Sequence, residues 1–103
     1  MGTKAVTKTK PQPNFDLKEP MMYKVIYIND EVTSMQFVVE SLQKIFGHTF
    51  EEATILTETI HAQGSGVAGI FPYEMAEQKG VEVTQLARSA GFPLQIKLEP
   101  VDD

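Results

Sequence analysis

The chain contains no cysteine, so neither a disulfide scaffold nor a cysteine-ligated zinc site can organise it. Histidine is scarce as well: only His48 and His61 are present, and no H-E-x-x-H pattern occurs. No stretch approaches the roughly 18 consecutive apolar residues that mark a membrane span. The opening Met1-Gly2-Thr3-Lys4-Ala5-Val6 lacks the apolar core of a signal peptide. These absences lead us to expect an intracellular, cytoplasmic protein with no membrane contact. What is present is an ordinary globular composition, 42% hydrophobic and 22% charged over 103 residues, which suits one small domain.

Charge is placed unevenly. Residues 1–20 carry four lysines against two acids, whereas residues 21–103 carry five basic residues against twelve acids, a balance of −7. An acidic domain repels phosphate backbones, so nucleic acid is not expected as a partner of the folded part. Residues 1–20 are polar, contain Pro11, Pro13 and Pro20, and offer little apolar surface besides Phe15 and Leu17. Such a segment cannot bury enough to offset the entropy of ordering, so a flexible N-terminal extension is expected there, with the core domain at 21–103.

From Tyr23 the pattern changes. Tyr23-Lys24-Val25-Ile26-Tyr27-Ile28 is β-branched and aromatic, which predicts a strand at the centre of a sheet. Asn29-Asp30-Glu31-Val32 breaks it as a loop, because Asn and Asp bond their own backbone. Thr33-Ser34-Met35-Gln36 has the form of a capping box, so Thr33 is expected to cap a helix with Met35, Val38, Val39, Leu42, Ile45 and Phe46 inward and Gly47 as its stop. Thr49-Phe50-Glu51-Glu52 repeats the box and opens a second helix with Ala53, Leu56 and Ile60 inward, ended by Gln63-Gly64-Ser65-Gly66.

Val67 to Phe71 reads as a short second strand. Pro72 fits the first turn of a third helix, whose stripe is Ala76, Val83, Leu86, Ala87 and Ala90 and whose stop is Gly91. Leu94, Ile96 and Leu98 alternate as a third strand. The order β-α-α-β-α-β predicts an α+β domain, a three-stranded antiparallel sheet covered by three helices.

Several residues are candidates for binding chemistry. Alone, Asn29-Asp30-Glu31 is an ordinary turn, His61 an ordinary surface or core histidine, and Met35 core filler. Thr57 and His61 stand four apart and so share a helix face. Asp30, Glu31 and His61 could also be weighed as metal ligands for hydrolysis. No serine or cysteine nucleophile has a base at recognisable spacing.

The run Met22-Tyr23-Lys24-Val25-Ile26-Tyr27-Ile28-Asn29-Asp30-Glu31, with Thr33, Met35 and Phe37-Val38 after it, resembles the ClpS adaptors. So do Leu42-Gln43-Lys44 with Phe46, Ala53-Thr54, Ile60-His61 with Gln63-Gly64, and Gly69-Ile70-Phe71 running on to Glu74, Ala76-Glu77 and Lys79. Pro93-Leu94 and Leu98-Glu99 close the match, which spans residues 21–99 without a gap. The resemblance implies the same β-α-α-β-α-β fold. It also implies a non-catalytic, cofactor-free and metal-free adaptor, expected as a monomer from a bacterium or a plastid.

Such adaptors bind proteins that begin with a bulky hydrophobic residue, aromatic or leucine, known as N-degrons. They deliver them to a Clp AAA+ unfoldase of the ClpA or ClpC type through its N-terminal domain. The α-ammonium of the ligand would meet Asn29, Asp30, Glu31 and His61. The pocket wall would be Thr33, Met35, Val38, Thr57 and Leu94, and the unfoldase would meet Glu74, Glu77 and Lys79. The chain departs from the family pattern in three places: Glu31 replaces an aspartate, Thr57 replaces a methionine, and Pro72 and Gly80 alter the third helix near the expected unfoldase surface. A module resembling the C-terminal domain of the ribosomal stalk protein would share the fold but predict no preference for a peptide's first residue.

Overall fold

Strand β1 (Met22–Ile28) occupies the middle of a three-stranded antiparallel sheet of order β2-β1-β3 in a computed structural model that describes residues 21–102. The extension expected over residues 1–20 lies outside the described residues. Central placement follows from the sequence of β1, since Val25, Ile26 and Tyr27 are all buried. Helices α1 (Met35–Phe46) and α2 (Phe50–Gln63) follow, then β2 (Ser65–Pro72), α3 (Tyr73–Ser89) and β3 (Gln95–Pro100). This is the expected α+β order.

Tyr27 links sheet to helices. Its ring packs edge-on to Phe46, and its hydroxyl lies 2.7 Å from Ser41 Oγ, which itself donates to the Val38 carbonyl at 2.9 Å. That leaves the phenol as donor to Ser41, so both buried polar groups are satisfied. Burial pushes the Tyr27 phenol up, with the Ser41 bond pulling weakly the other way. Around this pair, Leu42, Ala53, Ile60, Ala68, Val83, Ala87 and Leu94 complete the core.

The helix ends differ in one instructive way from expectation. Thr49 caps α2 in a reciprocal box with Glu52, and Gly47 and Gly64 end α1 and α2 with φ of 75° and 94°, where glycine avoids Cβ strain. Thr33, however, does not cap α1. Ser34 does, its Oγ accepting from the Phe37 amide at 3.1 Å, and Gln36 bonds Glu40 rather than closing a box. The Thr33 hydroxyl is drawn away by a charged acceptor, the Asp30 carboxylate.

Strand β2 is longer than expected, starting at Ser65, because Ser65, Gly66 and Val67 pair with Ile28, Tyr27 and Ile26. The register slips at Ala68, which opposes no β1 residue and whose carbonyl bonds His48 Nε2 at 2.7 Å. Pro72 ends β2 opposite Met22 and precedes the first turn of α3, a place where its missing N–H costs no ladder bond.

Candidate functional site

The loop after β1 and the last turn of α2 are tied together by one backbone bond, Asn29 N–H to the Gly64 carbonyl at 2.9 Å. That bond sets Asn29-Asp30-Glu31 beside His61, which lies in the last turn of α2. Within the loop, Asp30 acts as an organiser. Its Oδ1 accepts from the Val32 amide at 2.8 Å and the Thr33 amide at 2.7 Å, and its Oδ2 accepts from the Thr33 hydroxyl at 2.8 Å.

Burial raises the Asp30 carboxyl, but these three bonds and the charge of Arg88 outweigh it and hold the group below its ordinary value. Arg88 also holds the segment after α3, donating to the Phe92 carbonyl at 3.0 Å and the Leu94 carbonyl at 2.8 Å.

A cavity of about 290 Å³ opens between this loop, α1 and α2. Asn29, Asp30, Glu31 and His61 line it as a polar group, and Thr33, Met35, Val38, Thr57 and Ile60 complete the wall. Asn29 supplies an amide, Asp30 and Glu31 supply negative charge, and the C-terminal end of α2 adds the negative pole of its dipole. The depth is apolar, with Val38 and Ile60 buried, while Met35 stands at the edge, 46% exposed. Thr57 is buried, and its hydroxyl donates to the Ala53 carbonyl at 2.7 Å, leaving only acceptor capacity for a ligand. The arrangement suits a ligand whose cationic group adjoins a bulky apolar group.

One residue expected in the pocket wall sits elsewhere. Leu94 does not line the cavity. It is 1% exposed and belongs to the core cluster with Val38 and Ile60, and Arg88 donates to its carbonyl. Glu74 and Glu77 are exposed on the first turns of α3, away from the cavity, with Glu77 accepting from the Tyr73 hydroxyl at 3.3 Å. Lys79 is half-buried: its ammonium donates to the Ile45 carbonyl at 2.8 Å, at the C-terminal end of α1, and lies 5.9 Å from the centre of the Phe71 ring. This lysine serves α1 before it can serve a partner.

Ile60 was absent from the expected wall, although its i, i+3 spacing from Thr57 already places the two on one helix face. Arg88 left no such signal, since its partners are backbone carbonyls. Among the described residues, no three histidine, aspartate or glutamate side chains gather in a way that would hold a metal ion. No helix of the described residues is long and apolar enough to cross a membrane.

The sequence matches the family model described as ATP-dependent Clp protease adaptor protein ClpS over residues 18–97. The ATP-dependent Clp protease adapter protein ClpS of Lawsonia intracellularis is 46% identical over 87 residues, covering 84% of this chain and 80% of its own length. That of Rhodospirillum centenum is 44% identical over 98 residues, 95% of this chain and 87% of its own. Among solved structures, Agrobacterium tumefaciens ClpS2 bound to L-phenylalaninamide aligns with a TM-score of 0.78 at 35% identity, covering 81% of this chain and 100% of that one.

Proposed function

The chain belongs to the ClpS family of ATP-dependent Clp protease adaptor proteins, and from that premise we propose that it binds proteins by a bulky hydrophobic first residue and delivers them to a Clp AAA+ unfoldase. One observation carries this reading: a single cavity joins an apolar floor of Val38 and Ile60 to a negatively biased polar group of Asn29, Asp30, Glu31 and His61. A free protein N-terminus has the complementary form, an α-ammonium with three donors next to a side chain. L-phenylalaninamide, carried by the Agrobacterium tumefaciens relative, has both parts.

In this reading Asn29, Glu31 and His61 accept from the ammonium, while Asp30 contributes charge and holds the loop. Hydrogen bonds to a charged group contribute about 1.5–3 kcal/mol each. Burial of a leucine or phenylalanine side chain adds about 1.5–3 kcal/mol. Two or three such bonds with that burial suffice for affinity in the micromolar range. Thr33, Met35, Thr57 and Ile60 shape the pocket, and Leu94 backs it. The protein acts without catalysis, as a cytoplasmic monomer. Its α3 surface at Glu74 and Glu77, with Lys79 beside them, meets the N-terminal domain of a ClpA-type or ClpC-type unfoldase. Residues 1–20 serve delivery rather than binding, so removing residues 2–18 leaves peptide affinity intact and slows degradation.

The test is a panel of peptides that differ only in the first residue and in its acetylation. Free Phe-, Tyr-, Trp- and Leu-first peptides should bind and their acetylated forms should not. Equal affinity for free and acetylated peptides would overturn the reading.

A further inference from the structure

Gly66 is a glycine that helix-stopping does not explain. Gly47, Gly64 and Gly91 take positive φ, as stops do. Gly66 is not among them and lies inside β2, paired with Tyr27. What it supplies is space. A Cβ at position 66 would stand 2.7 Å from Ile60 Cγ1, 3.2 Å from Leu56 Cδ1 and 3.6 Å from Ile60 Cδ1. A carbon–carbon contact of 2.7 Å is far inside the van der Waals optimum of about 3.5–4.0 Å, so Ile60 occupies room that only glycine leaves free.

Ile60 is also part of the cavity wall, next to Thr57 and His61. It is 3% exposed and sits in the core with Tyr27, Val38, Leu42 and Leu94. Protein cores are close-packed, so a side chain pushed off β2 has no slack on its core sides. The open volume that borders Ile60 is the cavity itself.

We propose that Gly66 is a positioning residue for first-residue specificity: by lacking a side chain it lets Ile60 lie back against β2, and this sets how large a first residue the cavity accepts. The inference rests on the proposed function of the same cavity and extends it to the size of the side chain bound. Gly66 touches no ligand. It acts through Ile60, whereas Thr57 acts from the wall directly.

The experiment measures dissociation constants of Trp-, Phe- and Leu-first peptides, otherwise identical, by fluorescence anisotropy with the full chain. Wild type, Gly66→Ala and Ile60→Val are compared, each with its thermal midpoint. Gly66→Ala should weaken Trp- and Phe-first peptides relative to the Leu-first one by roughly fivefold to tenfold, the effect of losing space for one or two methylene-sized groups. Ile60→Val shortens the wall and should move the Trp-to-Leu ratio the other way, which keeps the inference testable if Gly66→Ala does not fold. A role confined to packing would lower the thermal midpoint and leave both ratios unchanged, and that result overturns the inference while the adaptor reading stands. A wild-type protein that binds none of the three peptides removes both.

Discussion

Thr33 and Asp30 form a closed clasp: the Thr33 amide donates to Asp30 Oδ1 at 2.7 Å and the Thr33 hydroxyl to Asp30 Oδ2 at 2.8 Å. Both residues line the cavity, so one side-chain pair holds the loop and forms part of its wall. The pair thereby connects local turn chemistry to recognition. Asn29 and Glu31 flank Asp30 and are held at the cavity by the turn that the clasp closes.

Asp30→Ala should therefore cost stability and peptide affinity together. The three bonds end on a charged acceptor, but the group is only half-buried, so solvent reduces their worth to about 1–2 kcal/mol in total. The sign of the pH dependence follows from the lowered carboxyl. Stability from a lowered acid is fully present above its unfolded value, about 3.9 in model peptides, and is lost as pH falls through the lower folded value. Comparing urea midpoints of wild type and Asp30→Asn from pH 6 to pH 3 isolates this group. The difference between the two proteins should shrink toward the acid end. A difference that stays constant with pH would show that the Asp30 charge does not support the fold.

Met35 stands 46% exposed at the edge of the cavity, on the first turn of α1. Side chains there lean back over the preceding turn, which here is the loop that lines the cavity. A β-branched first residue carries its bulk next to its own backbone, where Met35 stands. Val- and Ile-first peptides should bind poorly to wild type. Met35→Ala should improve them by about tenfold, equivalent to ~1.4 kcal/mol, with little change for Phe-first peptides. Unchanged rejection of Val and Ile would reduce Met35 to a surface residue.

Gly80 offers a test of the fold independent of the site. It is buried in the middle of α3, and a Cβ there would lie 3.5 Å from Ile96 Cγ2 and 3.9 Å from Leu98 Cδ2. Those are ordinary contacts, so helix and strand approach closely without requiring glycine. Gly80→Ala should stabilise the domain by about 0.5–1 kcal/mol, the usual helix-interior difference. A lower denaturation midpoint would mean that β3 cannot accept the added methyl.

Much of this was legible in the sequence because it depends on local chemistry. Gly47, Gly64 and Gly91 mark helix ends, Thr49 and Glu52 mark a helix start, and the β-branched run around Val25 marks a central strand. What was not legible depends on which partner a group takes once the chain is folded. Thr33 and Ser34 are equally good caps, and only the nearby carboxylate of Asp30 decides that Ser34 takes the role. Gly66 looks like a helix stop until Tyr27 pairs with it. Leu94 shows a related limit, since its alternation with Ile96 and Leu98 does not reveal that it is buried in the core and absent from the cavity lining.

Thr57 stands where the resemblance leads us to expect methionine, and it lines the cavity. Threonine is shorter than methionine, and neither the exposed Phe50 and Ile55 nor the buried Leu94 joins the cavity lining. The space is left to the cavity. A leucine ligand would leave part of it empty, and each lost methylene contact weakens binding by about 0.8 kcal/mol. An aromatic ring fills it. Because the Thr57 hydroxyl proton is engaged with Ala53, the oxygen can only accept, which suits a tyrosine hydroxyl or an indole N–H. Wild type should therefore prefer Phe-, Tyr- and Trp-first peptides over Leu-first ones. Thr57→Met should shift the Leu-to-Phe affinity ratio toward leucine by roughly fivefold, about 1 kcal/mol, since methionine returns flexible apolar volume to the wall. Titrating Leu-first and Phe-first peptides against both proteins decides the matter: if the ratio does not move, Thr57 does not set the preference and the volume must be governed from deeper in the wall, at Val38 or Ile60.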